Sequence, residues 1–121
     1  MLAPALEDIL RDLPGAHPSY PFGPGTRVYK VGGRIFALCS DSGSSVSLKC
    51  DPDESEGLRR AFSGITPGYH LNKQHWITVA LDGSVPEDLV LELTASSYRL
   101  VFNALTRAQR AWVLANPHEP V

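Results

Sequence analysis

The chain has 121 residues, 43% hydrophobic and 20% charged, with 11 Lys and Arg against 13 Asp and Glu. That length predicts a single domain over residues 1–121, able to bury roughly 65% of its unfolded surface without a metal or disulfide. A net charge of −2 argues against an abundant nonspecific polyanion binder, and no apolar run approaches the ~18 residues of a membrane span.

The opening segment, "MLAPALEDILRDLPGA", places Leu6, Ile9, Leu10 and Leu13 on one helical face and stops at Pro14-Gly15. It carries Glu7, Asp8 and Asp12 without a basic start, so no signal peptide and a cytoplasmic location are expected. Residues 14–26 hold four prolines and three glycines and predict an extended connector. "RVYKV" and "RIFALC" follow as strands around Gly32-Gly33, a pair suited to a tight hairpin. "SDSGSS" then turns the chain into a third strand, "VSLKC".

Asp51 reads as the cap of a helix with Pro52 first and Glu54 at N3, turning Leu58, Ala61 and Phe62 inward. Pro67-Gly68 suits a type II turn in which the glycine takes a positive φ. "WITVAL" is a strand, and Ser84 with Glu87 forms a capping box around Pro86. That box opens a long helix with Leu89, Leu93, Leu100 and Val101 apolar. Thr106 with Gln109 is a second box, opening a short helix that contains Trp112. The order α-β-β-β-α-β-β-α-α lacks a βαβ rhythm and predicts an α+β fold: two layers, an antiparallel sheet with helices packed on one face.

Such a sheet has a free side. Val46, Leu48 and Cys50 alternate with Ser47 and Lys49, while Ile77, Val79 and Leu81 alternate with Trp76, Thr78 and Ala80. If Tyr29 and Val31 point inward, Lys30 joins Lys49 and Trp76 on the free face. Lysines beside an aromatic ring suit a phosphate backbone and a stacked base. The plainer reading is an ordinary solvated face. Charge distribution agrees with the first: residues 27–75 hold seven Lys/Arg (27, 30, 34, 49, 59, 60, 73) against five acids, plus His70 and His75.

Other chemistries fit less well. His70 and His75 are five apart, which separates them on a strand and leaves them about 140° apart on a helix. Cys39 and Cys50 lack CxxC spacing, so no metal is expected. A hairpin around residues 42–43 sets the two cysteines ~13 Å apart, so both are expected reduced. GxSxG, HExxH, P-loop and GxGxxG patterns are all missing, and a Ser97/His70/Asp51 triple is of a kind any chain this size offers. No enzyme activity and no cofactor are expected.

"PFG" (21–23), "VYKVGGRIFALC" (28–39), "VSLKCDPD" (46–53), "GITPGYHLNKQHW" (64–76), "LDGSVPEDLVLEL" (81–93) and "SSYRLV" (96–101) together resemble the MmcQ/YjbR family. The resemblance runs from about residue 13 to residue 110. It implies a fold of α-β3-α-β2-α order, similar to secretion chaperones, and the family's usual label is DNA-binding protein. The matching motif positions are Lys30, Lys49, Tyr69, His70, Lys73, His75 and Trp76. This chain departs from the family in lacking acids before "PFG" and in having Ile77 after the tryptophan. The expected partner is DNA, held weakly and in a salt-sensitive way. The alternative is an adaptor that binds a protein partner, and no membrane association is expected.

Overall fold

A computed structural model describes residues 4–40, 42–68 and 71–118. Four helices, α1 (Pro4–Asp12), α2 (Pro52–Ala61), α3 (Glu87–Asn103) and α4 (Arg107–Ala115), accompany a six-stranded sheet. Its strands are β1 (His17–Ser19), β2 (Thr26–Val31), β3 (Arg34–Ser40), β4 (Ser45–Lys49), β5 (Ile65–Pro67) and β6 (Trp76–Ala80). They lie in the order β1-β2-β3-β4-β6-β5, each neighbouring pair antiparallel. The fold is α+β, as the element order predicted.

Alternation sets the two faces. Tyr29, Ala37, Leu48 and Ile77 form one row across the sheet, and Cys39, Val46, Val79 and Ile65 the next; all are buried in one core. Over them α3 lays Val90, Leu93, Thr94, Ser97, Tyr98 and Val101, a stripe at i, i+3, i+4, i+7, i+8 and i+11. Leu6 and Leu10 of α1 and Val113 of α4 close the same side. Each buried leucine contributes about 1.5–3 kcal/mol relative to exposure.

A bulge joins sheet to helix. Tyr29 pairs with Ala37 but Lys30 pairs with Ile35, so Phe36 is an extra residue in β3. Phe36 packs edge-on against Tyr98, with ring centroids 5.4 Å apart. The fully buried Ser97 hydroxyl enters the gap, accepting from the Lys49 N–H (2.8 Å) and donating to the Phe36 carbonyl (2.6 Å).

Several local expectations are corrected. The proline-rich connector contains β1, giving six strands and the order α-β4-α-β2-α-α. Pro18 is tolerated there because β1 is an edge strand. Gly68 has no positive φ: it extends the ladder beyond β5 by donating to the Trp76 carbonyl (2.9 Å). A Cβ at Gly68 would lie 2.6 Å from that of Trp76, so close approach is what requires glycine. Ser84 does not cap α3; its hydroxyl donates to Asp82 at 2.6 Å, a charged acceptor nearer than the helix end. Ala61 and Leu100 are exposed, because α2 leans on the β5–β6 edge and the α3 stripe passes through Ser97 instead.

Other turns and caps match their sequence signals. Gly32 and Gly33 both have positive φ in the β2–β3 hairpin. Asp51 accepts from the Asp53 N–H, and the Thr106–Gln109 box is complete.

Candidate nucleic-acid interface

Among the described residues no helix packs on the second face of the sheet. One step beyond the Tyr29–Ala37–Leu48–Ile77 row, five of the six strands present an outward residue: His17, Lys30, Ile35, Lys49 and Trp76. Three pairings tie them together, His17 to Lys30, Lys30 to Ile35 and Lys49 to Trp76. At about 4.8 Å per strand the lysines are roughly 10 Å apart, and the row from His17 to Trp76 spans about 19 Å. All five residues are half-buried.

The turn before Trp76 lies at the same end. Asn72 organises it: its side chain accepts from the Gln74 N–H (2.9 Å) and its carbonyl from the His75 N–H (3.2 Å). The Cys50 N–H donates to the His75 carbonyl (2.8 Å), fastening the turn to the end of β4. Lys73 and His75 are exposed on it. Of the predicted site residues, Lys30, Lys49 and Trp76 therefore come together, with Lys73 and His75 beside them. Tyr69 and His70 lie outside the described residues.

Electrostatics separates working cations from structural ones. Arg27 reaches Glu7 (3.3 Å) and the Tyr20 hydroxyl (3.1 Å), and hydrogen bonding to Tyr29 and Tyr20 raises its pKa further above the ordinary value. Arg60 pairs with Glu56 (2.6 Å) and Arg59 donates to Ser55 (3.3 Å). Lys30, Lys49 and Lys73 form no ion pair among the described residues. Their positive charge is available to a ligand.

Beyond the lysine row the same face sinks into a cavity of about 400 Å³. Leu38, Ser47 and Thr78 pave it, and Phe22 and Leu71 contribute apolar side chains. Ser47 and Thr78 hydroxyls are hydrogen-bonded to each other at 2.9 Å. Sequence reasoning missed both this cavity and His17. The "HPS" alternation was the only signal for His17, and it is three residues long.

The remaining candidates have structural uses. Ser97 is fully buried, bonded to the Phe36 carbonyl and the Lys49 N–H, and Asp51 caps α2, while His70 lies outside the described residues. Cys39 and Cys50 are free and buried; burial pushes their thiols up to about 12 and about 11. Cys39 pairs with Val46, four residues short of Cys50, consistent with the strand geometry. Among the described residues no group of three or more His, Cys, Asp or Glu gathers to hold a metal, and no helix is long and apolar enough to cross a membrane.

Several known proteins resemble this chain in sequence or in structure. An Escherichia coli O157:H7 protein, "Uncharacterized protein YbdF", is 38% identical over 98 residues, covering 79% of this chain and 80% of its own length. "Uncharacterized protein YjbR" of Escherichia coli K12 is 40% identical over 83 residues, covering 67% and 70% respectively. The crystal structure of a Deinococcus radiodurans protein with a domain termed DUF419 superposes with a TM-score of 0.85 at 42% identity, covering 94% of this chain and 88% of that one. A Pseudomonas syringae protein superposes at 0.63 with 27% identity, covering 71% and 86%. The YjbR family model matches residues 11–100, and the chain belongs to the YjbR family.

Proposed function

We propose that this protein binds DNA weakly through the lysine–tryptophan row and the adjoining 72–75 turn, with no catalytic step and no cofactor. One observation carries the reading: Lys30 and Lys49, without ion pairs among the described residues, share one row with Trp76 on the sheet face that no described helix covers. Phosphates meet the ammonium groups as point charges, and the half-buried indole offers a flat surface to a base. Backbone contacts of this kind carry little sequence information. The reading places the protein in the cytoplasm, where DNA is accessible.

Three lysines near one run of phosphates set the salt dependence. Log affinity against log salt should have a slope of about −3 on duplex DNA. Lys73→Ala should weaken binding and reduce the slope by about one. Lys49→Glu should abolish binding, since it places a negative charge at the centre of the row. Fluorescence anisotropy across a salt range measures both. Parent-like binding by both variants, or no binding by the parent at low salt, refutes the proposal. A protein partner is the second reading, favoured by Phe22, which is 66% exposed beside the cavity.

A further inference from the structure

We infer that the sheet-face cavity receives one unpaired base of single-stranded DNA whose phosphates lie along the lysine row. The inference rests on the DNA-binding reading and deepens it, by naming the form of DNA the site takes.

Position comes first. Ser47 is two residues from Lys49 on β4, and Thr78 two from Trp76 on β6, so the cavity floor begins about 6.6 Å from the cations on the same face. A base attached to a phosphate held at Lys49 therefore falls over the floor. The volume of about 400 Å³ lies within the range of small-ligand sites, roughly 300–1,000 Å³. Duplex bases are closed into their stack and cannot enter.

Chemistry agrees. The described lining contains no charged side chain, so it suits a neutral base rather than a phosphate or an ionised peptide side chain. Phe22, Leu38 and Leu71 supply apolar surface for the ring. Thr26 and Ser45 supply hydroxyls that rotate to donate or accept, and so meet any base edge without selecting among them, while the Ser47 hydroxyl stays bonded to Thr78. Phe22 would lose exposed area on stacking, which gives its position at the cavity a use.

The opposite margin of the face keeps the backbone on the lysine side. There Asp82 lines a neighbouring hydroxyl-rich depression with Ser84, Thr66 and Ser45. Hydrogen bonds from the Ser84 hydroxyl and N–H lower the Asp82 pKa, so its negative charge persists and repels phosphate. A strand thus runs across the sheet along the cations, with a base directed inward.

The test compares a labelled 12-mer single strand, the matching duplex and an abasic strand with the same number of phosphates. The intact strand should bind the full-length protein roughly 5- to 140-fold more tightly than the abasic strand, from one stacked base. It should also bind more tightly than the duplex. Phe22→Ala and Leu71→Ala should each bring the intact-to-abasic ratio towards one. Equal affinity for intact and abasic parent complexes, with the lysine-dependent slope retained, overturns the base pocket and leaves the DNA reading standing. A duplex preference overturns it likewise. No binding to any of the three at low salt overturns the DNA reading itself. The parent comparison decides the matter even if a variant folds poorly.

Discussion

Replacing Ser97 by alanine tests how the lysine row is built. The hydroxyl bridges two backbone groups, the half-buried Lys49 N–H and the buried Phe36 carbonyl, just past the last β3–β4 pair, Ala37 with Leu48. Removing it leaves both without a partner. Each unsatisfied group costs about 1–3 kcal/mol, and partial reclosure of the gap lowers the sum, so we expect a loss of roughly 2–4 kcal/mol. For a domain of this length, between the two size classes usually tabulated, that corresponds to a drop in Tm of roughly 10–15 °C. Thr94→Val is the matched control. Thr94 is equally buried on α3, but its hydroxyl donates to the Val90 carbonyl one turn back in its own helix (2.8 Å). That carbonyl keeps its helical partner when the hydroxyl is lost, so valine should change stability by less than about 1 kcal/mol. Urea denaturation of both variants gives the comparison. A Ser97→Ala protein as stable as the Thr94→Val protein would refute the bridging role. Under the DNA reading, Ser97→Ala should also weaken DNA binding at temperatures where it remains folded, because the bridge anchors the backbone of Lys49.

Two further predictions concern glycine and alkaline pH. Gly68→Ala should lose about 1–3 kcal/mol by overpacking, since its Cβ would meet the Trp76 Cβ at 2.6 Å and backbone at 3.1 Å. Gly57→Ala, in the exposed interior of α2 with nothing near the added atom, should gain about 0.5–1 kcal/mol; thermal melts that reverse this pair of signs would contradict the packing. Burial raises Cys39 from 9.0 to about 12, Cys50 from 9.0 to about 11 and Tyr98 from 10.0 to about 12. These acids hold their protons more tightly folded than unfolded, so their neutral forms stabilise the fold fully below about pH 9 and the contribution falls as pH rises towards 12. Tm should decline progressively above pH 9, and Cys39→Ala should flatten part of that decline; a flat profile to pH 11 would contradict it. The native thiols should likewise resist alkylation at pH 8 and react once the chain is unfolded.

Where the alternation of polar and apolar residues was long enough, the sequence was legible. "VSLKC" and "WITVAL" each run for five or more residues, so their outward members, Lys49 and Trp76, could be assigned before the fold was known. Three residues of β1 give no such statistics, and a central proline reads as a break unless the strand is known to be an edge. Thus His17 was not placed beside Lys30. The dipeptide Pro67-Gly68 misled for a different reason: glycine serves both positive φ and close approach, and only the neighbouring strand distinguishes them. Ser84 misled because a capping spacing was present while a carboxylate two residues earlier competed for the hydroxyl.

The cavity could not have been foreseen by any local rule. Its lining comes from Phe22, Leu38, Ser47, Leu71 and Thr78, which belong to separate segments and are common residue types individually. Ser47 and Thr78 read as solvated strand positions, yet Ser47 is only 8% exposed because its partner strand presents another hydroxyl at 2.9 Å. Charge and aromatic content, by contrast, survive reading in one dimension, since an ammonium group carries its field wherever the chain puts it. The sequence therefore shows the part of a binding surface that acts at long range. The part that acts by contact, here a hydroxyl floor with apolar walls, emerges only from strand register. Under the base-pocket inference, affinity is set by residues visible in the sequence and the choice of strand form by residues that are not.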